Sequence, residues 1–120
     1  MFRLRFACIL SAGKRTKIIR KGKVFNPIGE KVTWQPRKLP ADPRRIRLHN
    51  NVQIASGVTF INHDLTADVL NRMGLDFRFS HTKGCIEILD NVSVGAGTII
   101  LPNIRIGPNV VIGAGSIITK

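Results

Sequence analysis

Apolar residues recur at every sixth position through most of this chain. Counting in sixes gives Leu48, Ile54 and Phe60, and later Ile88, Val94, Ile100, Ile106, Ile112 and Ile118. Four residues after each complete anchor, the side chains are small or β-branched, apart from Asp64: Val52, Val58, Asp64, Val92, Thr98, Ile104, Val110 and Ser116. A fixed short period predicts stacked coils, in which each coil buries its core against the next.

The third residue after each anchor predicts where the coils turn. These residues are Asn or Gly in every case but His63: Asn51, Gly57, His63, Asn91, Gly97, Asn103, Asn109 and Gly115. Asn and Gly tolerate the left-handed αL conformation, and Pro102 and Pro108 precede two of them as in type II turns. Each hexad is therefore a short strand followed by a corner, which predicts an all-β parallel β-helix. An antiparallel sandwich would show period-two alternation with turns 8–12 residues apart, and that spacing is not seen.

The repeat breaks once. After Asp64 the register is lost, and it returns at Ile88 with an offset of 40 from Leu48, which is not a multiple of six. We expect a protruding loop at about 66–87, and loops of this length in compact domains are usually functional or mobile.

The positive charge is confined to the first part of the chain. Residues 1–47 hold 14 of the 19 Lys and Arg residues, whereas bases and acids balance in 48–120. This charge indicates an interaction arm, an attractor of cofactor phosphates or a solvated helix face. Residues 11–23 predict a short basic helix ended by Gly22, and four prolines between 26 and 47 predict irregular turns. We therefore divide the chain into a basic N-terminal arm with irregular first turns (1–47) and a β-helix (48–120).

Cysteine spacing and the N-terminus narrow the class further. Cys8 and Cys85 form no CxxC or Cys/His pattern, so we expect neither a disulfide framework nor a zinc site. The five apolar residues from Phe6 to Leu10 are too few for a signal-peptide core or a membrane span. We expect a cytosolic protein, and its short length favours an oligomer.

The tail Ile106-Gly-Pro-Asn-Val-Val-Ile-Gly-Ala-Gly-Ser-Ile-Ile-Thr-Lys120 resembles the hexapeptide-repeat acyltransferases. Within that family the chain is similar to the O-acetyltransferases of sugars and surface polysaccharides, and to the galactoside, maltose and xenobiotic acetyltransferases. The resemblance covers 48–120 well and 22–47 loosely. It implies a left-handed parallel β-helix with three hexads per turn, a homotrimer, active sites at subunit clefts, and a loop just after the catalytic histidine.

By this resemblance His63 matches the catalytic general base. A neutral imidazole suits removal of a proton from an acceptor hydroxyl as it attacks a thioester, although a surface corner residue without a role is the alternative. Asp64 should point away from His63, because neighbouring strand residues face opposite sides. We expect His49 and His81 to be bystanders. No histidine lies in the hexads from Val94 onward, so the three-imidazole metal site of related carbonic anhydrases is not expected.

The resemblance also implies residues that bind acetyl-CoA. Small side chains would line the pantetheine arm and a Thr-Lys pair would lie near the adenine, although ordinary turn chemistry also explains these residues: Ala55, Ala96, Ala114, Thr119 and Lys120. Gln35 and Asp42 lie at the distances along the chain expected of acceptor contacts. The chain stops at Lys120 partway through a turn, so we expect a fragment without its C-terminal cap and with weakened CoA binding.

The sequence therefore predicts an acetyl-CoA-dependent O-acetyltransferase acting on a sugar or surface-polysaccharide hydroxyl, without a metal. One alternative is a silent β-helix trimer whose basic arm binds nucleic acid or a membrane surface; another is a purely structural trimer. We do not expect nucleic acid as a partner of the enzyme, and peripheral membrane contact through the arm is compatible with either function.

Overall fold

The computed structural model describes residues 2–120, and Met1 lies outside them. Within that range the chain forms short strands in series, with helices at its start and in one excursion. The helices are α1 (Phe2–Ala7), α2 (Ala12–Lys21), a 3-10 helix (Pro43–Arg45) and α3 (Thr66–Arg72). The strands are β1 (Thr33–Trp34), β2 (Ile46–Leu48), β3 (Val52–Ile54), β4 (Thr59–Phe60), β5 (His63–Asp64), β6 (Thr82–Lys83), β7 (Ile86–Ile88), β8 (Val92–Val94), β9 (Ile99–Ile100), β10 (Ile104–Ile106), β11 (Val110–Ile112) and β12 (Ile117–Ile118).

Three parallel sheets form the sides of a coil. The first sheet has the order β2-β7-β10, the second β1-β3-β8-β11 and the third β4-β9-β12. Consecutive strands along the chain belong to different sheets, and each strand pairs with the strand one full turn away. In the first sheet Ile86 pairs with Ile104 on one side and with Ile46 on the other. The predicted parallel β-helix with an 18-residue turn is confirmed.

The hexad anchors fill the interior of this coil. Leu48, Ile54, Ile88 and Ile100 are wholly buried, because alternate residues of each short strand face inward. Trp34 adds a large ring above the anchors, and its centroid lies 5.5 Å from that of Phe60. Stacked apolar columns therefore supply the core on which the outer surface is built.

The corners have the backbone geometry that the repeat predicts. Positive φ values occur at seven of the eight predicted corner residues: Asn51, Gly57, Asn91, Gly97, Asn103, Asn109 and Gly115. At the corner between the first and second sheets, the asparagine side chains bond to one another. The Asn51 amide donates to Asn91 and the Asn91 amide donates to Asn109, each at 2.9 Å, so successive coils are tied together outside the core.

The β-helix begins upstream of residue 48. β1 pairs in parallel with β3, with Thr33 opposite Gln53, where the sequence predicts irregular turns. Two residues of strand fit between Pro27 and Pro36, and an edge position does not require a donor from either proline. β2 also begins at Ile46, so the paired structure starts earlier than the predicted range.

The basic N-terminal arm packs on this first part of the coil. α2 begins after Ser11, whose hydroxyl accepts from the Lys14 N–H at 3.4 Å, and Gly22 follows its last residue. Two arginines of the arm donate to main-chain carbonyls: Arg3 to Leu39 at 2.9 Å and Arg20 to Gly29 at 2.8 Å. Part of the positive charge therefore attaches the helices to the β-helix.

The excursion leaves and re-enters the coil at matching positions. The Ile61 N–H still donates to Ile100 O at 2.8 Å, and the next coil strand is β7. Between them, β5 pairs antiparallel with β6, and α3 lies in the segment that joins these two strands. The excursion thus runs from His63 to Cys85, a few residues earlier at each end than the predicted 66–87, because residues 86–88 belong to the first sheet.

A cluster of charges crosses the outer face of the first sheet. Glu87 lies in register between Arg47 and Arg105, and its carboxylate is 2.9 Å from Arg105 Nε and 3.3 Å from His49 Nε2. The hydrogen bond with His49, aided by the neighbouring cations, lowers the pKa of Glu87. His49 is thus engaged on the first sheet.

Candidate active site

His63 lies where the chain departs from the coil. The preceding residue, Asn62, is wholly buried, and its side-chain amide donates to Asp42 O at 2.5 Å. His63 then enters β5, opposite Lys83 of β6. The prediction that His63 occupies a left-handed corner is wrong, because pairing with β6 holds it in extended backbone. The side chain of the next residue, Asp64, is exposed as well.

The imidazole of His63 opens onto a cavity beside the excursion. This cavity has a volume of about 350 Å³ and is lined by His63, Asp64, Leu65, Asp68, His81 and Lys83. The His63 side chain is 40% exposed, so its ring is accessible to a substrate. His81, which the sequence sets aside as a bystander, lines the same cavity, and its Nε2 lies 3.0 Å from Asp68 Oδ1.

Two carboxylates lie near His63, and they have different roles. Asp64 Oδ1 accepts from the Thr66 hydroxyl at 2.6 Å and from the Thr66 N–H at 2.8 Å. These bonds lower the pKa of Asp64 and hold its carboxylate at the start of α3. Asp42 is the carboxylate beside the imidazole, with its Oδ2 at 3.9 Å from His63 Nε2.

Asp42 is itself held in place. Its Oδ2 accepts from Arg45 Nε at 2.9 Å, and its carbonyl accepts from the buried Asn62. At 3.9 Å this carboxylate is too far from the ring for a hydrogen bond, but its negative charge lies close to the imidazolium that would form when the ring accepts a proton. The sequence analysis names Asp42 only as an expected acceptor contact, from its distance along the chain. No local motif links it to a histidine about twenty residues later.

The predicted donor-binding residues lie in three places. Ala96 and Ala114 share the corner between the second and third sheets, where the Gly115 N–H donates to Ala96 O at 2.8 Å. Ser56 completes this column, since the Gly97 N–H donates to its carbonyl at 3.0 Å. Ala55 occupies the neighbouring position and packs against the core. The Ser56-Ala96-Ala114 column is exposed and small enough for a thin chain to lie along it.

Thr119 and Lys120 follow β12, on the other side of the third sheet from that column. Both are exposed, so the Lys120 ammonium is accessible to a phosphate. Within residues 2–120, no helix is long and apolar enough to cross a membrane. In the same range there is no group of three or more His, Cys, Asp or Glu side chains that could hold a metal ion.

Comparison with known proteins identifies the repeat. Residues 85–120 match the family described as "Bacterial transferase hexapeptide (six repeats)". The galactoside O-acetyltransferase of Lactococcus lactis is 41% identical over 81 residues, which cover 66% of this chain and 36% of that protein. The chain thus spans little more than a third of the length of the curated relatives it matches.

Solved structures extend the similarity to nearly the whole chain. A maltose O-acetyltransferase from Clostridium difficile 630 superimposes with a TM-score of 0.66 and 28% identity, over 98% of this chain and 72% of that one. A galactoside acetyltransferase in complex with coenzyme A gives a TM-score of 0.63 and 25% identity, over 98% and 67% of the two chains. The parallel sheets and these neighbours fit a left-handed β-helix. The resemblance predicted from the sequence is confirmed: this chain is a hexapeptide-repeat protein similar to the sugar O-acetyltransferases.

Proposed function

We propose that this protein is an acetyl-CoA-dependent O-acetyltransferase that acts on a sugar or surface-polysaccharide hydroxyl. The observation that carries this proposal is the His63 imidazole, exposed in the cavity beside the excursion with the Asp42 carboxylate 3.9 Å away. The names of the galactoside and maltose relatives support the reaction class, and the relative solved with coenzyme A supports the donor.

In the proposed reaction, the oxygen of the acceptor hydroxyl attacks the thioester carbon while His63 accepts the proton of that hydroxyl. The C–S bond then breaks, and the imidazolium returns the proton to the leaving sulfur. Asp42 stabilises the imidazolium between these two steps. A backbone N–H would stabilise the oxyanion, as in other acyl transfers.

The Ser56-Ala96-Ala114 column is the part of the surface we assign to the pantetheine arm. Its side chains are a hydroxymethyl group and two methyl groups, so an extended chain can approach the backbone closely. Thr119 and Lys120 are assigned to the nucleotide end because a cation there can pair with phosphate. In this proposal Ala55 supports the column and does not contact the donor.

A homotrimer with the active site at a subunit cleft is part of the proposal. Leu65, Val69 and Met73 are spaced along one side of the α3 region and are at least 60% exposed, which is the spacing of an apolar helical stripe. A neighbouring subunit would cover this stripe and enclose the cavity of His63. The cytosolic location stays a prediction.

The decisive experiment is a thiol-release assay with acetyl-CoA and a panel of sugars and oligosaccharides. Replacement of a general base costs about 10²- to 10⁴-fold in rate, so we expect His63→Ala to lower kcat by that amount. His49→Gln is the matched control, because His49 is bound to Glu87 on the first sheet. Full turnover by His63→Ala, or no turnover of any acceptor by the unmodified protein, would refute the proposal.

The binding-module alternative is not favoured, since the relatives carry acetyltransferase names. It predicts that binding to nucleic acid or anionic vesicles weakens steeply with salt and that His63→Ala changes nothing. Measuring both properties on the same preparations separates the two functions.

A further inference from the structure

A second, larger cavity lies between the N-terminal arm and the corner that begins at Ser56. We call it the basic cleft. Its volume is about 500 Å³, and the residues that line it include Leu10, Arg15, Gln35, Arg37, Lys38 and Ser56. Three of these six side chains are cationic, and none of the described lining residues carries a carboxylate.

The charge of Arg15 is enclosed without an acidic partner. Arg15 is 4% exposed, and its terminal nitrogens donate to two carbonyls, one of Ile9 and one of Gln35. Within residues 2–120, its Nε has no hydrogen-bond partner. Burial and the nearby Arg37 guanidinium both lower the pKa of Arg15, so two like charges face the same space.

The acids of the arm do not neutralise this charge. Glu30 lies 3.9 Å from Arg20, and Asp42 is bound to Arg45. Among the described residues, Arg37 and Lys38 have no carboxylate within ion-pair distance, and both are exposed. Two exposed cations beside one buried cation form a site that an anion would stabilise.

The basic cleft adjoins a smaller cavity that reaches the residue before Asp42. Lys38 lines the cleft and also a small cavity of about 220 Å³ that includes Ala41 and Phe60. The next residue along the chain after Ala41 is Asp42, the carboxylate beside His63. Ser56, on the other wall of the cleft, is the first member of the column assigned to the donor.

We propose that the basic cleft binds a carboxylate or phosphate group of the acceptor, so that the preferred acceptors are acidic sugars or sugar phosphates. This inference rests on the proposed function and adds the substrate class. Arg37 and Lys38 would contact the anion directly. The buried Arg15 guanidinium would add electrostatic attraction without contacting it. Leu10 and the neighbouring Pro36 and Val58 give the cleft an apolar wall that suits the face of a sugar ring.

The test compares acceptors that differ in charge. Glucose, glucuronate and glucose 1-phosphate are assayed with acetyl-CoA against the unmodified protein, Arg37→Gln, Lys38→Gln and the control Lys17→Gln, which alters an exposed lysine of α2. We expect the charged acceptors to have the lower KM in the unmodified protein. Each cleft variant should raise that KM about tenfold with kcat unchanged, whereas glucose and the control show no change.

Other outcomes overturn the inference in distinguishable ways. If glucose is acetylated as efficiently as the charged sugars and the variants do not alter this ratio, the inference fails and the proposed function stands. If Arg37→Gln raises the KM of acetyl-CoA instead, the cleft serves the phosphates of the donor, and the acceptor assignment is wrong.

If no acceptor is turned over, the proposed function fails. Anion binding, measured without catalysis, then tests whether the cleft is an anion site. Inorganic phosphate and glucuronate should then raise the Tm of the unmodified protein. A smaller rise for Arg37→Gln than for Lys17→Gln supports an anion site. Equal rises for the two variants overturn it.

Discussion

Replacement of Gly95 by alanine tests how closely successive coils approach at one corner. An added Cβ would lie 2.5 Å from Ala114 N and 2.7 Å from Ile112 O, atoms of the next coil's backbone. Ordinary contacts are 3.4 Å or more, so the coils would have to separate by about 1 Å, and overpacking of this kind costs about 1–3 kcal/mol. Gly113 begins the same Gly-Ala-Gly tripeptide one turn later, and its added Cβ would meet nothing closer than Ser116 Oγ at 4.0 Å.

We therefore expect Gly95→Ala to lower Tm by roughly 5–20 °C. Gly113→Ala should leave the stability of the 120-residue chain within about 1 kcal/mol, since it also restricts the unfolded chain. Thermal and urea unfolding of both variants at one fixed protein concentration would measure this, because association makes apparent stability depend on concentration. Equal losses for the two variants would show that the backbone contact at Gly95 does not limit the spacing of the coils.

Two further variants test charge and corner geometry. Glu87→Gln should lower Tm at neutral pH. The pKa of Glu87 is lowered because its ionised carboxylate interacts favourably with His49 and the arginines in the folded state, and that interaction stabilises the fold. That contribution is complete above the ordinary value of 4.5 and is lost as pH falls through the lower folded value, so the two melting curves should converge in acid; a constant difference at all pH values would contradict this. Asn91→Ala should cost about 1–3 kcal/mol in urea unfolding, because it removes two ladder bonds at a residue with φ of 60°. Asn91→Gly keeps the backbone conformation and should cost less, and the reverse order would rule out strain at this corner.

The repeat could be predicted from the sequence because its cause is local. Each hexad has an inward anchor such as Ile88 or Ile100, and each corner has an Asn or Gly that adopts positive φ. Both features lie within six residues, and the stacked coils repeat them. The period therefore predicts a coil of short parallel strands, and the family resemblance adds the three hexads of each turn.

The details around His63 depend on residues that are distant in sequence. Extended backbone at His63 requires β6, about twenty residues later, and the exit of the chain depends on the bond from buried Asn62 to Asp42. The hexad pattern places His63 at a corner because it assigns that position by counting alone. It likewise gives no signal for His81 in the same cavity or for β1 upstream, since tertiary pairing decides both.

Because the excursion leaves and re-enters the coil at matching positions, the spacing of the turns is independent of the shape of the cavity around His63. Ile46 and Ile86 pair directly although 40 positions separate them. The pairing of adjacent turns therefore does not depend on the segment inserted between them. Changes in the length or composition of the insert can reshape the chamber around the imidazole while the stacked columns keep their spacing. Under the proposed function, grafting foreign inserts between Ile61 and Ile86 should change the acceptor preference while the β-helix stays the same.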